Sequence, residues 1–299
     1  MFSISRNYKT GFIISTLASI ISVVLLFVPG LHLGIDFRGG TLIEVKYPQT
    51  VSIADVTADV ESAGFSNIVV QQVSDVQLII KTSAIDSADD HERLIGSLSG
   101  RYGSVEELRF DSIGPIIGEE LKRRSVWQGI FVCVGILLYV AYAFRNFGDK
   151  NNLMNISSWR LSWAALIALA HDIIILLGVF VVLGMLRDLE IDTLFVTAVL
   201  TTLGFSVNDT IVVFDRLREN VTRYRTDPLS QNIDRSINET MTRSLNTSGT
   251  LLFVLLALAL FGGQTVFYFV IALMIGVIVG TYSSIFIASP LLLIWNQKK

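Results

Sequence analysis

The sequence predicts a polytopic α-helical membrane protein, with six transmembrane helices and one small α+β domain outside the membrane between the first and second helices. Three observations carry this. The 299 residues are 52% hydrophobic and 16% charged, where soluble domains of average composition carry about 25% charge. Six segments approach the roughly 20 apolar residues that a bilayer span requires. One segment of about 90 residues breaks this pattern with alternating and amphipathic stretches.

The apolar segments cover residues 10–28, 125–144, 161–186, 193–214, 244–261 and 265–295. An open sheet leaves unpaired backbone in lipid, so spans of this length are helices. The last contains Pro290, which predicts a tilt or kink near its end. The first follows Arg6 and Lys9 and mimics a signal peptide, but no A-x-A-like site follows it, so it reads as an uncleaved span. The chain then divides into 1–29 (N-terminus and first helix), 30–121 (outer domain) and 122–299 (helices two to six, their loops and the C-terminus). The single cysteine, Cys133, lies in an apolar run and reads as a packed side chain.

Orientation follows from Lys and Arg in the short loops. Arg6 and Lys9, then Arg145, Lys150 and Arg160, then six arginines from Arg216 to Arg243, and finally Lys298 and Lys299 fall on one side. Both termini are therefore expected in the cytoplasm. Lys122, Arg123 and Arg124 sit on the other side, after a long translocated domain, where the charge rule weakens.

Between Leu31 and Leu121 there are 6 bases and 15 acids, a net charge of -9, so nucleic acid and anionic membrane surfaces are expected to repel this segment. TLIEVKY (41–47), NIVVQQV (67–73), VQLIIKT (76–82) and SVEELRFDSIG (104–114) read as strands, with Ser74-Asp75 as a hairpin signal. SIADVTADVESAG (52–64) reads as a helix with a Ser cap, and SADDHERLIGSLSG (87–100) as a helix ended by Gly100. The order β-α-β-β-α-β is the ferredoxin-like arrangement. His91, among charges, reads as a solvated residue.

The spans also hold polar residues. A charge at the bilayer centre costs about 2.5–3.5 kcal/mol on insertion scales, so an ionisable residue there is a functional candidate. The fourth span, continued by GFSVNDTIVVFDRLREN (204–220), places Thr202, Ser206 and Asp209 at spacings of four and three, with Arg216 further along. The next span opens with Arg243, Asn246, Thr247 and Thr250 on one face. The two spans are antiparallel, so an Asp209–Arg243 pair is expected, either as a titrating couple or as a static bridge. His171 and Asp172 lie near the middle of the third span, as a second relay station or a hydrogen-bonding hub. Gly276, Gly280 and Ser284 form a small-residue row for helix packing. An Asp beside an Arg in lipid can pair when ionised and release its partner when protonated. There is no P-loop, H-E-x-x-H or G-x-S-x-G signature. No enzyme, catalytic residue or metal site is expected.

Six segments together resemble the SecD/SecF family of Sec protein-translocase accessory subunits, in the resistance-nodulation-division superfamily of proton-driven transporters. They are GIDFRGG (34–40), IGPIIGEEL (113–121), AHD (170–172), the 204–220 stretch, SINETMTRSLNTS (236–248) and FGG (261–263). The resemblance spans the chain. It implies a multi-pass protein of the bacterial inner membrane that uses the proton-motive force, with SecD, to promote preprotein export through the SecYEG channel. Its partners are then SecD, SecYEG, the translocating preprotein and the lipid bilayer, with YajC and YidC as further candidates.

Asp209 and Arg243 match the family's proton pathway. Asn208, Ser206, His171 and Asp172 are candidates for additional relay or pairing. Asp215, Arg216 and Arg218 match a motif at the cytoplasmic edge, and Asp36, Gly39 and Gly40 a motif opening the outer domain. Phe205 stands where the family often has Tyr, so no relay role falls there. No cofactor is implied beyond the proton gradient, and a sodium gradient suits a carboxylate equally. A half-transporter exporting a small molecule or lipid, and a purely structural scaffold, remain as alternatives. Such transporters are built from two similar halves, and this chain supplies one.

Overall fold

The computed structural model describes residues 4–145 and 157–297. Lys150, Lys298 and Lys299, which the orientation reading uses, lie outside the described residues. The chain divides into two compact units, Leu33–Val126 and Met1–His32 with Trp127–Lys299.

In the first unit a short helix α2 (Ile35–Arg38) leads into β1 (Gly40–Lys46). Then come α3 (Ile53–Ser62), β2 (Val69–Ser74), β3 (Gln77–Thr82), α4 (Ala88–Tyr102) and β4 (Glu106–Ile113). The four strands form one antiparallel sheet in the order β2-β3-β1-β4. Ile43 and Val45 of β1 and Leu78 and Ile80 of β3 are buried at period two. Val56 and Val60 of α3 and Leu94 and Leu98 of α4 join them in one core at helical spacing.

Three local expectations shift. The turn between β2 and β3 is Asp75-Val76, closed by Ser74 opposite Gln77. Ser52 holds the cap position of α3 without a side-chain bond, whereas Ser87 Oγ accepts from the Asp90 amide at 3.1 Å and caps α4. α4 runs past Gly100 and stops at Gly103, whose φ of 87° with ψ of -166° is open to glycine and strained for other residues.

Six helices are long and apolar enough to cross a membrane: Lys9–Phe27, Pro115–Ala143, Ser158–Arg187, Thr193–Arg223, Leu229–Phe261 and Val266–Asn296. They belong to α1 (Ile4–Phe27), α5 (Pro115–Ala143), α6 (Ser158–Arg187), α7 (Thr193–Arg223), α8 (Leu229–Phe261) and the final helical run. Several outrun their apolar segments. α5 starts at Pro115 rather than near 125, α7 continues to Arg223, and α8 starts at Leu229 rather than near 244. The apolar count marks only the part suited to lipid, while backbone hydrogen bonding carries the helix further.

The final run has three parts: α9 (Gln264–Ser283), a π-helical turn (Ser284–Ala288) and α10 (Ser289–Gln297). The irregularity expected at Pro290 therefore falls just before it. Proline cannot donate to the preceding turn and its ring crowds that carbonyl, and a single π turn is a common way to absorb such a fault. Ser289 Oγ donates to the Ser284 carbonyl at 3.0 Å and satisfies backbone there.

Candidate functional site

The centre of the helical unit is a set of polar side chains on α6, α7, α8 and the final run. Their positions follow from helix phase. Ser236, Thr240, Ser244 and Ser248 recur every four residues and form the buried polar face of α8. Arg243 is one residue, or about 100°, off that row, and is exposed.

Asp209 is 7% exposed on α7. Its Oδ1 accepts a hydrogen bond from Ser244 Oγ. Its Oδ2 is buried with no hydrogen-bond partner. Arg243 makes no ion pair with Asp209 and acts on it only through space. The expected contact pair is therefore corrected to Asp209–Ser244. The sequence reading chose the polar face Arg243, Asn246, Thr247 and Thr250, and all four are exposed. The missed face was legible as the four-residue repeat of small hydroxyls.

Asp172 is the hub of a separate cluster. His171 Nδ1 lies 3.1 Å from its Oδ1, and Ser206 Oγ and Ser283 Oγ donate to its Oδ2 at 2.6 and 2.8 Å. One carboxylate thus joins α6, α7 and α9. Thr210 and Ser284 hydroxyls meet at 2.9 Å, and Ser248 and Thr281 hydroxyls at 2.6 Å. Asn208 is exposed on α7 and does not join either cluster.

Gly276 and Gly280 let α9 close on α7. A Cβ on Gly276 would collide with Thr202, and one on Gly280 would lie 2.8 Å from Ser206 Cβ. Ser284 completes the row through its bond to Thr210.

At one end of the bundle, Arg216 bridges Glu219 on its own helix and Glu239 on α8, each at 2.5 Å. Asn220 donates to Ser236 Oγ at 3.0 Å and to Glu239 at 2.9 Å. Arg218 pairs with Asp215 at 2.7 Å within α7. Arg216 therefore fastens α7 to α8, while Asp215 and Arg218 do not cross between helices. These charges, with Ala143, Phe144, Thr240 and Arg243, line a cavity of about 640 Å³.

Gly39 and Gly40 form the corner between α2 and β1, with φ of 78° and 148°. Asp36 sits in the first turn of α2. His91 is not simply solvated: its Nε2 lies 2.8 Å from Glu107 and its ring packs on Phe110 at 4.4 Å. Among the described residues no group of three or more His, Cys, Asp or Glu could hold a metal ion.

Chemically the two buried carboxylates differ. Asp172 has both oxygens occupied by fixed partners. Asp209 has one donor and one empty oxygen, so it can accept a proton, an ion or a new donor without dismantling a network.

Residues 95–298 match the sequence profile of the family described as "Protein export membrane protein SecD/SecF, C-terminal". Residues 24–51 match that of the "SecD/SecF GG Motif". The chain belongs to the SecD/SecF family of protein export membrane proteins. It is 40% identical to the protein translocase subunit SecF of Thermobaculum terrenum, over 100% of this chain and 95% of that relative. It is 38% identical to the SecF subunit of Vibrio alginolyticus, over 96% of this chain and 88% of the relative. In three dimensions it matches SecDF, a translocon-associated membrane protein from Thermus thermophilus, with a TM-score of 0.84 at 32% identity. That match covers 99% of this chain and 39% of the longer SecDF chain. SecDF in a super-membrane-facing form matches with a TM-score of 0.66 at 31% identity, over 97% of this chain and 38% of that one. The resemblance read from the six segments is thereby confirmed. Relatives named as translocase subunits favour the export reading over a small-molecule or lipid exporter.

Proposed function

We propose that this chain is the smaller six-helix half of a protein-export machine in the bacterial inner membrane. With SecD it draws on the proton-motive force to move preproteins out of the SecYEG channel. One observation carries the coupling step: Asp209 is buried with Oδ1 held by Ser244 and Oδ2 unpartnered. A proton reaching Oδ2 removes a charge from the contact between α7 and α8. Arg243, exposed nearby, then no longer feels the pull of that charge. Each proton crossing the membrane supplies about 2.3 kcal/mol per 100 mV, so repeated cycles drive the work. Sodium would serve the same carboxylate.

The strand order β2-β3-β1-β4 with two helices supports the ferredoxin-like reading of the outer domain. The basic loops support cytoplasmic termini. YajC and YidC join SecD and SecYEG as candidate partners. The protein works without enzymatic chemistry or a bound cofactor.

The test replaces Asp209 with Asn in cells whose only copy is the variant and follows maturation of a secreted precursor. Chain levels stay normal and export slows at least about tenfold, 1.4 kcal/mol at the barrier. Export at the normal rate from Asp209→Asn would sink the proposal.

A further inference from the structure

The row Ser236, Thr240, Ser244 and Ser248 is uniform in sequence and divided in use. A hydroxyl has one proton to donate. Ser236 gives it to the Asn232 carbonyl at 2.6 Å and Thr240 to the Ser236 carbonyl at 2.8 Å, each four residues back on α8. Thr247 and Thr250, outside the row, do the same toward the Arg243 and Asn246 carbonyls, at 2.9 Å each. Such local bonds are a common resting place for helical hydroxyls. Ser244 departs from the habit of its helix. Its proton goes across to Asp209 Oδ1 on α7, although the Thr240 carbonyl stands four residues back. Ser248 also meets another helix, but at the neutral Thr281 hydroxyl. In the row, Ser244 is therefore the member whose partner can change its charge.

Both ends of the bond are enclosed: Ser244 is 2% and Asp209 7% exposed. Oδ2 has no partner, so the serine is the donor that holds this carboxylate. Arg243 on α8 is the charged group that acts on Asp209, and it does so through space. The other buried ionisable groups, His171 on α6 and Asp172 beside it, are bonded to each other and to Ser206 and Ser283. A hydrogen bond to an ionised oxygen is roughly twice as strong as one to a neutral oxygen. The ionised Asp209 therefore outcompetes the Thr240 carbonyl for the serine proton. A neutral Asp209 loses that advantage. Its remaining acceptor and the peptide carbonyl are then of one kind, and the peptide carbonyl is the acceptor that Ser236, Thr240, Thr247 and Thr250 use.

We propose that Ser244 is the positioning residue that turns protonation of Asp209 into a change at the α7–α8 contact: its hydroxyl donates to Asp209 when the carboxylate is ionised and turns to the Thr240 carbonyl when it is neutral. The serine proton stays on its own oxygen throughout, and only its direction changes. The proton from outside binds at the open Oδ2 and leaves from there. In one state Ser244 ties α7 to α8 at this level. In the other the tie is gone, while Arg216–Glu239 and Asn220–Ser236 keep the two helices fastened further along. The proposal rests on the coupling role of Asp209 and adds the group that responds to its charge.

Infrared difference spectra of the full chain with its partner half in lipid, taken between high and low pH, test this. Bands that Asp209→Asn removes belong to Asp209. Ser244→Ala should shift the carboxylate bands of the ionised form and leave the carbonyl band of the protonated form where the unsubstituted protein has it. A carbonyl band that moves as well would show a serine bonded in both states and would overturn the proposal. So would carboxylate bands indifferent to Ser244. In cells, Ser244→Ala at normal chain levels should slow precursor maturation several-fold, and Ser244→Thr, which keeps the hydroxyl, should restore it. Normal maturation from Ser244→Ala would overturn the proposal too. If the added methyl of Ser244→Thr lowers chain levels, the spectra of Ser244→Ala decide. Asp209 bands that titrate but ignore Ser244 remove the switch alone, whereas a titration with no band lost in Asp209→Asn removes the coupling role beneath it.

Discussion

At the scale of single residues, hydrogen-bond supply separates two carboxylates that the sequence leaves equivalent. Asp172 accepts from two serines and adjoins His171, so its charge cements three helices. Removing one partner of a buried polar contact costs about 1–3 kcal/mol. Asp172→Asn should lower the thermal stability of the purified protein by about that amount, while Asp209→Asn, whose remaining oxygen can still accept from Ser244, should lower it less. Equal losses would show that the difference in partnering carries no energy. Tyr47 offers a contrasting case in the sheet domain. Its hydroxyl is buried without a partner, and burial, with Asp59 adding to it, pushes its ionisation well above the ordinary value near 10. With the folded value raised, the unfolded chain loses its proton first. This contribution to stability is complete below about pH 10 and falls as pH rises beyond it. Tyr47→Phe should therefore flatten the alkaline fall in Ile43 exchange protection, and at neutral pH should match or exceed the wild type.

At the scale of elements, small side chains decide where helices close. Gly280→Val would drive new atoms into Ser206, and overpacking of this kind costs about 1–3 kcal/mol. Gly204→Ala, with nothing within 4 Å, should be silent in the same detergent melting experiment. If both substitutions behave alike, the α7–α9 contact is not limited by glycine. The row Gly276, Gly280 and Ser284 was visible in the sequence because small residues at spacing four have few other uses in a span. The π turn was not. Pro290 announces a fault, but which hydroxyls absorb it depends on Ser284, Ser289 and Thr210 meeting in space. α8 shows the same limit. Both of its polar faces are written in its residues, and only packing against α7 and α9 selects Ser244 over Arg243.

At the scale of the molecule, the proposed function makes the helical unit one half of a larger assembly. Arg243, Asn246, Thr247 and Thr250 are exposed on a helix that crosses the membrane. Polar groups there are costly against lipid, so the second half is expected to cover this face. A cysteine placed at Asn246 should react with a membrane-permeant maleimide when the chain is made alone. It should be protected when SecD is made with it. Equal labelling in both cases would place the partner elsewhere.

The sequence by itself determined the number of spans, the position of the sheet domain in the chain, the family and the identity of Asp209 as an ionisable group in a span. These follow from local quantities: apolar length, alternation, charge count and contiguous motifs. Tertiary structure alone decided that Asp209 meets Ser244 rather than Arg243, and that Asp172 is saturated while Asp209 is not. Each depends on the rotation of one helix against another. A helix turns about 100° per residue, so a step of one residue, from Arg243 to Ser244, moves a side chain from the bundle's surface to its interior.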